Sequence, residues 1–88
     1  MDNIKKWTQM LYAIQKGKSW TSEIAKAMRT KNANVVRIGY RLMHMELVKR
    51  IKEKNNNGVY ECIWSLNPKR EIRIDTILKR NYPDDYSN

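Results

Sequence analysis

The sequence predicts an α+β protein in which three helices precede a two-stranded β-hairpin and a final helix. Apolar residues in the first half recur every three or four positions, which is the spacing of one helix face. From residue 60 to residue 66 they alternate as in a strand, and the segment NNNG just before favours a hairpin turn. Because the chain has 88 residues, we expect one domain over residues 1–82 and a flexible tail over 83–88.

The first helix is predicted over residues 3–16. Ile4, Trp7, Leu11 and Ile14 form its apolar face, and Gly17 favours the left-handed turn that ends a helix.

A short second helix begins near residue 21, where Thr21 or Ser22 is a suitable cap, and the segment IAKAM supplies its apolar face.

The third helix is predicted over residues 32–45, with Asn32 as its cap, so that a helix-turn-helix spans residues 21–46. Gly39 in its middle costs about 1 kcal/mol relative to alanine, and we expect it to permit close packing against a neighbouring helix. The buried stripe of this helix consists of Val35, Ile38, Leu42 and Met45.

The hairpin is predicted over residues 48–66. Its first strand is the charged segment VKRIKEK, and the second has Tyr60, Cys62, Trp64 and Leu66 on its better-buried face. The final helix is predicted over residues 68–81, with Asn67 as its cap.

Positive charge is concentrated in the middle of the chain. The whole sequence carries 18 Lys and Arg against 9 Asp and Glu, a net charge of +9. No acidic residue occurs between Ile24 and Met45. Such a distribution favours a polyanionic partner, and we expect double-stranded DNA.

The exposed face of the third helix suits a major groove. Arginine there donates two hydrogen bonds to guanine or holds phosphate, small apolar side chains contact the thymine methyl, and asparagine reaches adenine or the backbone. An ordinary solvated helix face is the alternative. With the basic hairpin and the start of the second helix added, the predicted DNA contacts are Lys18, Thr21, Ser22, Lys31, Asn32, Ala33, Asn34, Val36, Arg37, Tyr40, Arg41, Arg50, Lys52, Lys54 and Asn56.

Other functions receive little support from the sequence. One cysteine, Cys62, and one histidine, His44, cannot make a Cys/His zinc site, and no nucleophile and base occur at a recognisable catalytic spacing. We therefore expect no enzyme, no metal, no cofactor and no small-molecule ligand. We also expect an intracellular, cytoplasmic protein, since no apolar stretch approaches the roughly 20 residues of a membrane span.

Taken in order, three segments resemble the winged helix-turn-helix family, especially the MarR-like and PadR-like DNA-binding regulators. SEIAKAM resembles the first motif helix, NVVRIGYRLMHMELVKR the recognition helix running into the wing, and VYECIWSLNPK the second wing strand. Where the family usually has glycine before LV, this chain has Glu46, which must adopt a left-handed backbone at about 1 kcal/mol or another turn.

The resemblance implies a homodimeric transcription regulator whose two recognition helices enter major grooves about 34 Å apart. The last helix would pack on the first helix and its twofold mate, through Ile4, Trp7, Ile74, Ile77 and Leu78. That apolar face could instead close the core of the monomer. The alternative functions are those of a non-specific DNA-coating, architectural or partition protein and of a protein-interaction module.

Overall fold

The computed structural model of the chain describes residues 4–86, and its elements follow the predicted order. The α+β class, with a three-helix core, a two-stranded hairpin and a C-terminal helix, is confirmed. The elements are α1 (Lys6–Gln15), α2 (Thr21–Met28), α3 (Asn32–His44), β1 (Val48–Lys54), β2 (Tyr60–Leu66), a 3₁₀ turn (Pro68–Arg70), α4 (Glu71–Asn81) and α5 (Pro83–Tyr86).

One hydrophobic core lies between the helices and the base of the hairpin. α1 contacts α2, α3, α4 and β2, so it is the central helix of the packing. Burying large apolar side chains supplies most of the favourable free energy of a small domain. The side chains with 0% exposure are Met10, Leu11, Ile24, Val35, Leu42, Leu47, Trp64 and Leu78.

Gly17 ends α1 as predicted. Its φ is +100°, and the N–H of Lys18 donates to the carbonyl of Ala13 at 3.0 Å, which closes the last turn.

The start of α2 differs from the prediction. Thr21 is the first helical residue and is buried, so neither it nor Ser22 is the cap. The Glu23 carboxylate instead accepts hydrogen bonds from the backbone N–H groups of Ser19 and Trp20, both at 3.2 Å.

Helix α3 is joined to β1 by a left-handed residue, Glu46, with φ of +62°. Its carbonyl accepts a hydrogen bond from Asn67 Nδ2 at 2.8 Å, and its carboxylate forms an ion pair with Arg70. Contacts with the segment after β2 therefore hold a backbone conformation that a side chain disfavours. Of the two expected outcomes at Glu46, the left-handed backbone is the one observed.

The two strands pair antiparallel, with Val48 opposite Leu66 and Lys54 opposite Tyr60. The turn between them is longer than a two-residue turn. Asn55 closes it with its backbone bonded to Val59 at 2.8 Å, while Gly58 adopts a φ of +79°. On its other edge β2 is bonded to the segment before α2, because Trp64 donates its N–H to the Ser19 carbonyl at 2.9 Å.

Gly39 permits close packing, as predicted, but its neighbour is a strand residue and not a helix. A Cβ at this position would lie 2.3–2.7 Å from three atoms of the Trp64 ring. Trp64 is fully buried, and its indole Nε1 donates to Thr21 Oγ1 at 2.9 Å. The tryptophan therefore joins α2, α3 and the hairpin into one unit.

The C-terminal segment contains a short helix within the predicted tail. Residues 83–86 form α5, although a flexible tail was expected from residue 83; residues 87–88 lie outside the described part of the chain. The Tyr82 ring stacks on Tyr12 of α1 at a centroid distance of 3.9 Å. Asp85 accepts a hydrogen bond from the Tyr12 hydroxyl, which raises the pKa of Tyr12 to about 12. These contacts, absent from any local sequence pattern, fasten the segment to α1.

Within residues 4–86, no helix combines the length and apolar character needed to cross a bilayer. The same part of the chain contains no group of three or more His, Cys, Asp or Glu side chains placed to hold a metal ion.

Candidate nucleic-acid interface

Helix α3 presents a polar and basic face to solvent. Val35, Gly39 and Leu42 are buried on its inner side. The exposed residues are Asn32, Ala33, Arg37, Tyr40, Arg41 and His44, and Lys31 is exposed just before the helix. Asn34 and Val36 are only partly exposed, so they lie at the edge of this face and not at its centre. No acidic side chain interrupts it, since the helix contains none.

The hairpin separates its charges between two faces. Residues directly opposite each other in an antiparallel pair lie on the same side of the sheet. The register pairs Lys52 with Cys62 and Lys54 with Tyr60, whereas Glu53 is paired with Glu61. Because successive side chains of a strand alternate, Arg50, Lys52 and Lys54 lie on one side, and Lys49 lies with both glutamates on the other. We call the side that carries Arg50, Lys52 and Lys54 the basic face of the hairpin.

Arg50 connects the basic face of the hairpin to α3. Its guanidinium lies 5.0 Å from the centre of the Tyr40 ring, and Nη1 is 3.6 Å from the Cys62 sulfur. The contact with Cys62 is the main reason that the pKa of Arg50 is raised. Tyr40 in turn meets Trp64 edge-on at 6.2 Å. Arg50, predicted as a DNA contact, therefore also contacts α3 from the hairpin.

Farther along the hairpin the basic residues are free of such contacts with α3. Lys52 and Lys54 are exposed, and Lys54 Nζ lies 5.5 Å over the Tyr60 ring. Asn56 is exposed in the turn, whereas Asn55 accepts hydrogen bonds from the N–H groups of Asn57 and Val59 and has a structural role.

Thr21 is not available to DNA, contrary to the prediction. It is only 4% exposed, and its hydroxyl donates to the Cys62 carbonyl at 2.8 Å while accepting from the Trp64 indole. A threonine at the start of a helix carries no local signal that its hydroxyl will face a strand 41 residues later. Its role is structural.

The N–H of Ser22 is also occupied. It donates to the Glu61 carboxylate at 3.0 Å, and Glu61 accepts a second hydrogen bond from Asn55. The Asn55 bond, followed by the Ser22 bond, lowers the pKa of Glu61 below its usual value. A carboxylate thus lies where the prediction placed a phosphate, and of the three residues predicted to hold it, Lys18 and Ser22 are exposed. Glu61 was not among the predicted site residues, because its role depends on the hydrogen bonds that it accepts from Ser22 and Asn55.

At the start of α3, three polar side chains form a chain of hydrogen bonds. Asn34 Nδ2 donates to Thr30 Oγ1 at 2.8 Å, and Arg37 Nη2 donates to Asn34 Oδ1 at 3.1 Å. Thr30 was not among the predicted site residues, and it lies in the turn before α3.

The predicted dimer contacts divide into two groups. Ile74 and Leu78 are 1% and 0% exposed and belong to the core of the monomer, so their assignment to a dimer interface is wrong. Ile4, Trp7 and Ile77 are partly exposed. Ile72, on the opposite side of α4, is 84% exposed.

These features define a class of fold. Three helices, the third exposed and basic, lead directly into a two-stranded hairpin whose basic side meets that helix. This is the winged helix-turn-helix arrangement, in which the second helix of the motif is the one that enters a major groove in DNA-binding members.

Solved structures with the same fold are MarR-family regulators. ZitR from Lactococcus lactis, a zinc-responsive MarR family member, matches with a TM-score of 0.66 and 21% identity, covering 94% of this chain and 58% of its own. YusO from Bacillus subtilis gives 0.68 and 23% identity over 93% and 58% of the two chains. The chain therefore has the winged helix-turn-helix fold of MarR-family regulators.

A possible transcriptional regulator from Methanosarcina mazei also matches, with a TM-score of 0.60 and 19% identity over 98% of this chain and 82% of its own. These neighbours are regulators and not enzymes. The chain spans 58% of the length of ZitR and of YusO. No family model matches the chain, and no curated protein matches its sequence.

Proposed function

We propose that the chain is a sequence-specific double-stranded DNA-binding regulator. The observation that carries this proposal is the separation of charge: the acid-free outer face of α3 is continuous with the basic face of the hairpin through the Arg50–Tyr40 contact. Both glutamates of the hairpin lie on its other side. A continuous positive surface without interspersed acids is the electrostatic footprint of a nucleic-acid site.

In this proposal the two parts of the surface have different tasks. Helix α3 enters the major groove, where Arg37, Tyr40 and Arg41 face the bases and the nearby phosphates. Lys52, Lys54 and Asn56 follow the backbone or the adjacent minor groove. A structure of ZitR in complex with DNA, with a TM-score of 0.66 to this chain, supports placing such a fold on a duplex.

The regulator would act as a homodimer. Ile72 is 84% exposed on α4. Three further apolar side chains are partly exposed: Ile77 on α4, Trp7 in α1 and Ile4 just before α1. Covering these side chains with a second copy would remove apolar surface from water. Sedimentation at micromolar concentration measures the assembly state, and Ile72→Asp is expected to shift it toward monomer without unfolding the chain, since this side chain lies outside the core.

The charge separation is tested by two lysines of one strand. Lys52→Ala removes a charge from the basic face of the hairpin, whereas Lys49→Ala removes the same charge from the side that carries the glutamates. Fluorescence anisotropy with a labelled duplex, measured over a series of salt concentrations, reports affinity and its salt dependence. We expect Lys52→Ala to weaken binding to all duplexes alike and to lower the salt slope by about one, and Lys49→Ala to change neither.

Two results would contradict the proposal. If the two variants behaved identically, the hairpin would not be oriented on DNA as proposed. If the unmodified chain bound no duplex even at low salt, the surface would not be a DNA site, and a protein-interaction module would be favoured.

A further inference from the structure

Asn34 has both ends of its side-chain amide engaged within the protein. The amide nitrogen donates to Thr30 Oγ1 at 2.8 Å, and the amide oxygen accepts from Arg37 Nη2 at 3.1 Å. Because a guanidinium only donates, the bond from Arg37 determines that the amide oxygen faces Arg37, and the amide nitrogen then faces the Thr30 hydroxyl. Thr30 and Asn34 are partly buried, whereas Arg37 is exposed.

This arrangement disfavours Asn34 as a reader of adenine. An asparagine reads adenine with two parallel hydrogen bonds, one from its amide nitrogen and one to its amide oxygen. In this chain both groups already point along the helix surface to other side chains. Asn34 is among the predicted DNA contacts, but its observed hydrogen bonds suit a different task.

Arg37 keeps the donors that it needs for a base. A guanidinium has five N–H donors in a planar fork, and one of them is used by Asn34. Two parallel hydrogen bonds to O6 and N7 of guanine require two of the others. A long side chain that is held before binding loses less conformational freedom on binding, so the bond to Asn34 favours the bound state.

We propose that Arg37 reads a guanine in the major groove and that Asn34, fixed by Thr30, is the residue that positions it. The inference rests on the proposed function, because it concerns the same helix in the same groove. It names the base pair that should dominate the recognition sequence, and it assigns Thr30 a role in specificity without contact to DNA.

The experiment uses the full chain and the duplex that it enriches from a random pool. Each base pair of the half-site is replaced in turn by the other three, and the dissociation constants are measured for the unmodified chain and for Arg37→Ala, Asn34→Ala, Asn34→Asp and Thr30→Val. Asn81→Ala, which removes a helical asparagine on α4 bonded to its own backbone, is the matched control. Circular dichroism verifies that each variant keeps its helices.

We expect the unmodified chain to prefer G·C at one position by about 5- to 100-fold. Arg37→Ala should abolish that preference. Asn34→Ala should reduce it several-fold at the same position and at no other, and Thr30→Val should act in the same direction with a smaller effect. Asn34→Asp retains an acceptor for Arg37, so it should keep the preference while lowering affinity for every duplex. Asn81→Ala should leave the preference intact.

Three results separate the possible failures. If Asn34→Ala abolished a preference for adenine at a different position, Asn34 would read a base itself and the inference would be wrong. If Asn34→Ala changed no preference while Arg37→Ala did, the positioning role would be wrong. If the unmodified chain enriched no sequence, the proposed function itself would fail, whatever the variants did.

Discussion

Replacing Gly39 by alanine tests the contact that joins the third helix to the hairpin. In an exposed helix interior this substitution stabilises a protein, because alanine is favoured over glycine by about 1 kcal/mol. Here the added methyl group would lie 2.3 Å from the nearest atom of the Trp64 ring. The helix preference and the packing therefore act in opposite directions, and the sign of the measured effect decides between them.

The size of the effect follows from how little Trp64 can move. Ordinary contacts of a Cβ begin near 3.4 Å, so the ring would have to shift by about 1 Å. The ring has 0% exposure and is held by the hydrogen bond from its Nε1 to Thr21. Overpacking of this kind costs about 1–3 kcal/mol, so that after the helix gain of about 1 kcal/mol we expect a net loss of about 0–2 kcal/mol in the free energy of unfolding. For a domain of this size each kcal/mol lowers Tm by about 4–8 °C.

Urea denaturation followed by circular dichroism measures the loss, and a double-mutant cycle identifies its source. Trp64→Phe removes the outer ring whose atoms crowd Gly39. In that background Gly39→Ala should no longer destabilise, which gives a coupling free energy of about 1–3 kcal/mol. If Gly39→Ala raised the stability of the unmodified chain, or if its cost were the same in both backgrounds, the Trp64 ring would not be what limits the space at Gly39.

Two further predictions concern the contacts between α2 and the hairpin. Thr21→Val keeps the shape of the side chain but leaves the buried Trp64 indole and the partly buried Cys62 carbonyl without their partner, so the free energy of unfolding should fall by about 1–3 kcal/mol in urea titrations. Because hydrogen bonds from Asn55 and Ser22 lower the pKa of Glu61, its stabilisation is complete above the ordinary pKa of about 4.3 and is lost as the pH falls through the lowered value. Glu61→Gln should therefore flatten the acid side of the stability profile.

The Thr21→Val and Glu61→Gln variants each have a direct control. Thr76→Val makes the same change on the exposed surface of α4 and should cost little, so an equal loss in both threonine variants would contradict the role of Thr21. Glu53→Gln removes the charge directly opposite Glu61 on the hairpin. If it flattened the acid side of the profile as much as Glu61→Gln does, the two hydrogen bonds to Glu61 would not be the cause.

The elements could be predicted because each has a local pattern. The spacing of Val35, Ile38 and Leu42 describes a helix face whatever that face packs against, and the segment from 48 to 54 matches the observed β1 residue for residue. The left-handed residue at Glu46 was also identifiable, since the resemblance placed a glycine there. Its stabilising partners, Asn67 and Arg70, were not, because they follow it by more than twenty residues.

The assignments that failed depend on which surfaces meet. Thr21 and Ser22 are adjacent hydroxyl residues, and only the position of β2 determines that the first is buried and the second exposed. Ile74 and Leu78 form an apolar face that would serve a dimer or a core equally well, and the contact of α4 with α1 decides for the core. The helix over residues 83–86 follows Tyr82, which stacks on Tyr12, seventy residues away in the chain.

Selection from a random pool of double-stranded DNA at near-physiological salt tests whether the chain recognises a DNA sequence. The purified chain is incubated with the pool, and the retained duplexes are sequenced. We predict enrichment of a two-fold symmetric motif with a guanine in each half-site and half-site centres about 10 bp apart. Retention of duplexes without any enriched motif would contradict sequence recognition and would indicate a coating or partition protein that binds phosphate alone.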